Sequence, residues 1–126
     1  MPTNIAVSTH QETTRLETYE LVGRMNMHLG ASLVATLAGV NDSKLPYRWA
    51  KIDGPTPKNG ALSRLTTAHR VWLMLADAES DHVARNWFVG ANPFLDEQAP
   101  VVALREGREL EVLKAGEAFV KGTWVG

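Results

Sequence analysis

Apolar side chains recur every three or four residues along nearly the whole chain, in runs broken by glycine or proline. That period belongs to the α-helix. No run alternates apolar and polar residues for long enough to make a strand, so the expected fold class is all-α, a small helical bundle. Leu16, Tyr19, Val22, Met25 and Leu29 form the first stripe, and Gly30 stands where a helix would end in the left-handed region. Ser32 is expected to cap a short second helix that turns Leu33, Val34 and Leu37 inward and stops at Gly39. Ser43 is expected to cap a third over Lys44 to Asp53, with Pro46 in its first turn and Gly54-Pro55-Thr56-Pro57 as its stop.

A longer helix is expected from about Gly60 to Ala78, with Leu62, Leu65, His69, Trp72, Leu73 and Ala76 on one side. Asp81 is the expected cap of the next helix, which carries Val83 and Trp87 one turn apart and ends near Gly90. Asn92-Pro93 opens a loop, and Pro100 suits the first position of a helix that ends before Gly107. The last helix is expected from about Arg108 to Lys121, with Val112, Leu113, Gly116, Phe119 and Val120 inward and Gly122 closing it.

Composition narrows the chemistry. The chain of 126 residues has no cysteine, which excludes disulfides, thiolate nucleophiles and cysteine-held metal centres. A net charge of −1 gives no bulk argument for nucleic acid. The charge is uneven, however. Residues 1–75 carry eight basic and five acidic side chains, whereas residues 76–126 carry five and nine. A basic front and an acidic back suggest two different partners, the first of them polyanionic. No stretch approaches the roughly eighteen apolar residues that span a bilayer, so no membrane partner is expected. Met1 to Thr14 has neither a basic opening nor an apolar run, and reads as a mobile arm rather than a signal peptide. A cytoplasmic location is the expectation.

Two features could carry function. The first is the pair of short helices around Ala38-Gly39-Val40-Asn41, a helix-turn-helix pattern whose turn needs the freedom of Gly39. Its second helix would present Asn41, Ser43, Lys44, Tyr47, Arg48 and Lys51 to DNA. The competing reading is two packed helices of a bundle. The second feature is the chain's end, where Trp124 lies beyond the last helix stop. Such a ring either anchors in a partner's pocket or packs back onto its own domain.

Catalytic chemistry finds little support. His10, His28, His69 and His82 show no HxxxH or HExxH spacing, so no metal site is expected. Ser80-Asp81-His82 has the residue types of a triad, but neighbours along one helical turn point apart and cannot relay a proton. No glycine-rich loop precedes a Lys-Ser or Lys-Thr pair to cradle phosphate. The expectation is no catalytic residue, no cofactor and no enzyme.

Ala84 to Gly122 resembles the toxin-binding domain of the Xre/MbcA/ParS antitoxin family. The matching features are Trp87, Asn92-Pro93, Leu95, Pro100, Gly107 and the segment Glu109 to Val120. The stretch from about Thr18 to Trp72 is similar to the degenerate Xre-type helix-turn-helix that these antitoxins carry in front. The resemblance implies an antitoxin of a type II toxin–antitoxin system, whose partner is a cognate RES-domain toxin that binds and consumes NAD. It implies inhibition by obstructing the toxin's NAD pocket with the C-terminal region, here Phe119, Lys121, Gly122, Thr123, Trp124, Val125 and Gly126. It further implies binding of the operon's promoter DNA in some members, and a homodimer within a hetero-oligomeric toxin–antitoxin complex. The recognition helix departs from that pattern, since Lys44, Arg48 and Lys51 are flanked by Asp42 and Asp53.

The expected organisation is an arm over 1–14, a helix-turn-helix-like region over 15–78, a toxin-binding helical domain over 79–122 and a tail over 123–126. Two alternatives stand beside it. One is a helix-turn-helix transcriptional regulator whose back half is a dimerisation or sensing module. The other is a small helical enzyme, which would need a converging polar pocket.

Overall fold

The computed structural model describes residues 17–122, and within them the fold is all-helical. The first helix, α1, covers residues 17–29. It is followed by α2 (Ala31–Ala38), α3 (Leu45–Trp49), α4 (Asn59–Ala78), α5 (Asp81–Val89), a 3-10 turn (Pro93–Leu95), α6 (Pro100–Arg105) and α7 (Glu109–Val120). No strand forms among these residues; Asn92 and Gln98 make one isolated antiparallel bridge. The arm expected over 1–14 and the tail over 123–126 lie outside the described residues.

The helix α4, at 20 residues, is about 30 Å long and forms the axis of the bundle. It packs against α2, α5, α6 and α7. Its buried side is Ala61, Leu65, Ala68, Val71, Trp72 and Leu75, a wider face than one stripe because neighbours lie on several sides. Leu62 and His69 are only partly buried, and Leu73, expected inward, is 53% exposed. Val120 is likewise outward, so the buried side of α7 is Val112, Ala115 and Gly116.

One core spans the boundary expected near residue 78. Val22, Met25, Leu29, Val34 and Leu37 from the front share a cluster with Trp87, Phe88, Leu95, Leu104 and Val112 from the back. Aromatic rings link the two parts. His28 stacks on Trp72 at 4.3 Å, Trp72 meets Phe88 at 6.3 Å, and Phe88 meets Trp87 edge-on at 5.2 Å. Each such pair adds about 0.5–1.5 kcal/mol beyond the area it buries.

Several caps differ from the sequence expectation. Ser80, not Asp81, caps α5: its Oγ accepts from the Val83 N–H, and Asp81 sits in the first turn where the helix dipole favours an anion. Ser32 lies inside α2, whose first residue follows Gly30 with no side-chain cap. Ser43 does not cap α3; instead Asp42 Oδ1 accepts from the Lys44 N–H. The helix α3 also ends at Trp49, well short of Asp53. Beyond it the chain doubles back so closely that a Cβ on Gly54 would lie 2.0 Å from the Arg48 carbonyl oxygen. Only glycine fits there. The expected stops at Gly39 and Gly122 both have positive φ, +87° and +72°.

Candidate functional site: the face between α5 and α7

Two faces hold the residues singled out by the sequence. On the first, α2 and α3 are joined by residues 39–44, a longer link than the three or four residues of a compact helix-turn-helix. Asn41 and Arg48 are already engaged there. Arg105 donates to Asn41 Oδ1 at 2.6 Å, and Arg48 pairs with Asp42. Ser43, Lys44 and Lys51 are exposed, and Tyr47 is 59% exposed. Ser43, Lys44 and Tyr47 border a cleft of about 560 Å³ that also touches Ser32, the start of α2 and Arg85. Among the described residues its lining has no carboxylate.

The cleft's Arg85 has a structural duty as well. It donates to the carbonyls of His28 and Leu29 at 3.0 and 2.8 Å, closing the end of α1. Arg64 does the same for Ala38 at the end of α2, joined by Arg105 on Thr36 and Val40. Helix C-termini leave carbonyls without intrahelical partners and carry partial negative charge, which these guanidinium groups answer. The sequence reading missed all three arginines, because nothing local marks a cap that arrives from 26 to 69 residues away.

The second face is built by α5, the turn after it and the end of α7. Val83, Asn86, Trp87, Gly90, Ala91, Asn92 and Phe119 line an open groove of about 280 Å³. Helical spacing explains the α5 wall, since positions 83, 86, 87 and 90 fall on one side. Gly116 lets α7 lie close on α4: a Cβ there would sit 2.9 Å from Val71 Cγ1, with the Trp87 ring in ordinary contact at 3.8 Å. Exposed apolar residues continue beside the groove in the chain, with Val89 at 46%, Phe94 at 48% and Val120 at 40%.

Two buried donors stand in this wall. Trp87 is 7% and Asn92 1% exposed, and among the described residues neither Trp87 Nε1 nor Asn92 Nδ2 has a hydrogen-bond acceptor. The other side of the Asn92 amide is used, because Oδ1 accepts from the Phe94 N–H at 2.9 Å and fixes the 3-10 turn. Sequence reasoning placed Asn92 in a loop and Trp87 in the core. A buried asparagine beginning an Asn-Pro turn is not distinguishable from an exposed one by local pattern.

Of the residues the family resemblance assigns to toxin binding, Phe119 lies in the groove, and Lys121 and Gly122 follow at the exposed end of α7. Thr123, Trp124, Val125 and Gly126 lie outside the described residues. Among the described residues no group of three or more His, Cys, Asp or Glu is placed to hold a metal ion. No helix among them is long and apolar enough to cross a membrane.

No family model matches the chain, and neither a curated protein nor a solved structure matches it.

Proposed function

We propose that the protein is the antitoxin of a type II toxin–antitoxin pair. It holds a RES-domain, NAD-consuming toxin on the face between α5 and α7 and obstructs the toxin's NAD pocket with its C-terminal region. The observation that carries this reading is the apolar groove beside the end of α7, with Phe119 in its wall and exposed Val89, Phe94 and Val120 adjoining it in the chain. An exposed apolar surface next to a buried aromatic anchor is the anatomy of a protein interface. Among the described residues the groove's lining offers no carboxylate, imidazole, amine or hydroxyl, which favours binding over chemistry.

Co-expression tests it. A RES-domain toxin gene should lie beside this one, and the wild-type chain should rescue cells that express that toxin and restore their NAD. Phe119→Ala should fold normally and rescue poorly, because a central aromatic contact typically carries more than about 2 kcal/mol. Full rescue by Phe119→Asp would remove this face from the interface.

A second reading, binding to the operon's promoter by a homodimer in the cytoplasm, is favoured by one observation. The cleft at the starts of α2 and α3 gathers Lys44, Arg85 and the hydroxyls of Ser32, Ser43 and Tyr47 with no carboxylate among its lining residues. Replacing Lys44, Arg48 and Lys51 together by Ala should abolish promoter retention and leave toxin neutralisation intact. For every phosphate that a removed side chain had neutralised, the salt slope of log K should fall by about 0.9. Arg48 should contribute least, being paired with Asp42.

A further inference from the structure

The cleft where the starts of α2 and α3 meet α5 has a volume of about 560 Å³, within the roughly 300–1,000 Å³ of sites that hold small molecules. Two cations line it, Lys44 and Arg85, together with Ser32, Ser43 and Tyr47. All five side chains belong to exposed residues, so a solute reaches them without any rearrangement of the core.

These cations are not spent on carboxylates. Arg24, Arg48 and Arg108 each pair with one, whereas Lys44 and Arg85 have no such partner among the described residues. Asp42, two residues before Lys44, is held by the Arg48 guanidinium and meets Lys44 only through its backbone N–H. Asp81, one turn before Arg85, borders a separate hollow with Met27, Trp72 and His82. Arg85 is fixed in place, because its Nη1 donates to the His28 and Leu29 carbonyls. Its Nη2 and Nε keep their N–H groups for a further acceptor. The hydroxyls of Ser32, Ser43 and Tyr47 make no hydrogen bond among the described residues either.

Two positive groups sharing a cleft repel, and neutral hydroxyls do not relieve that. An oxyanion relieves it and accepts from every one of these donors. Leu33 and the Tyr47 ring add carbon surface beside them, which suits a ligand with a compact organic body behind its charge. A sugar phosphate has both parts.

We propose that this cleft binds the phosphoryl group of a sugar phosphate through Lys44, Arg85 and the three hydroxyls, with the sugar against Leu33 and Tyr47. The group belongs either to a free nucleotide or to a nucleic-acid strand. In the second case the site rests on the promoter-binding reading and supplies its phosphate contact; in neither case does it depend on toxin binding.

The test is NMR on the 15N-labelled full chain, titrated at constant ionic strength with adenosine 5′-monophosphate and, separately, with a duplex of the promoter. The Ser43 and Lys44 backbone N–H signals and the Arg85 Nε–H signal should shift and saturate. Adenosine, which lacks the phosphate, should bind about tenfold more weakly than its monophosphate. Lys44→Gln should weaken binding about fivefold, while Lys51→Gln, exposed on the same side of the chain but outside the cleft, should leave it nearly unchanged. Arg85 is kept, since it also closes α1.

Saturation by the monophosphate that the duplex does not displace assigns the site to a free nucleotide. Shifts of the same three signals by the duplex, in competition with the monophosphate, assign it to a strand. Equal losses from Lys44→Gln and Lys51→Gln would reduce the binding to diffuse charge and overturn the site. So would adenosine binding as well as its monophosphate, or no shift at Ser43, Lys44 and Arg85 with either probe.

Discussion

Arg105 of α6 donates a 2.6 Å hydrogen bond to Asn41 Oδ1, a side chain that the helix-turn-helix reading aims at DNA. The same guanidinium donates to the Thr36 and Val40 carbonyls at 3.1 and 3.2 Å. A residue from the region expected to bind toxin thus closes the C-terminal end of α2 and holds the turn after Gly39. The two expected regions are joined by side-chain hydrogen bonds as well as by one core.

Arg105→Ala should therefore destabilise the whole chain rather than the back part alone. It leaves the Val40 carbonyl and the Asn41 side-chain oxygen without this donor, while the Thr36 carbonyl keeps the Gly39 N–H, at a cost of about 1–3 kcal/mol. Urea unfolding followed by both far-ultraviolet circular dichroism and tryptophan fluorescence should show one cooperative transition, shifted to lower urea. Two separated transitions would mean that the front and back fold independently.

Gly116 is tested by a cycle with Val71. Alanine is ordinarily better than glycine inside a helix by about 0.5–1 kcal/mol. Here its Cβ would meet Val71 Cγ1 at 2.9 Å, and valine in a helix is stiff at χ1. Gly116→Ala should lower stability by about 1 kcal/mol in spite of its helix propensity, and the loss should vanish in a Val71→Ala background. A stabilised single variant would show that α4 and α7 can separate without cost.

The helix pattern was legible because it depends on short-range spacing. Each helix that the apolar period marks is present, and Pro100, Gly39 and Gly122 punctuate the chain as expected. What local pattern could not give was anything set by a distant partner. The shortening of α3 follows from the return of the chain at Gly54 onto the Arg48 carbonyl. The outward turn of Leu73 and Val120 follows from which neighbours α4 and α7 meet. Serine, aspartate and asparagine all cap well, so local pattern does not separate Asp81 from Ser80, and α3 takes no side-chain cap at all. Of the candidate site, Phe119 was legible from its position on the last helix, whereas the donors of Trp87 and Asn92 emerge only when α5 and the 3-10 turn are brought together.

Acid should weaken the fold through two histidines. Burial holds the imidazoles of His28 and His69 below the ordinary value of 6.5, and Arg24 adds to this at both, while Asp81 opposes it at His28. The folded state thus prefers neutral imidazole, whereas the unfolded chain takes up protons from about pH 6.5 downward. The stability contributed by these groups is fully present above that pH and is lost as the pH falls below it toward the folded values. Denaturation midpoints measured between about pH 8 and pH 5 should fall only over the lower part of that range. The His28→Gln, His69→Gln double variant should show a shallower fall, whatever its absolute stability. An unchanged slope would place the acid sensitivity in the carboxylates.

The proposed neutralisation of a RES-domain toxin is tested most directly by titrating the purified full chain into a RES-domain protein found encoded beside its gene while following NAD consumption. Saturable binding should be seen, and consumption should stop once the two proteins reach the stoichiometry of their complex. Phe119→Ala should need at least tenfold more protein for the same inhibition. NAD consumption that continues unchanged at excess protein, with no heat of binding, would contradict the assignment.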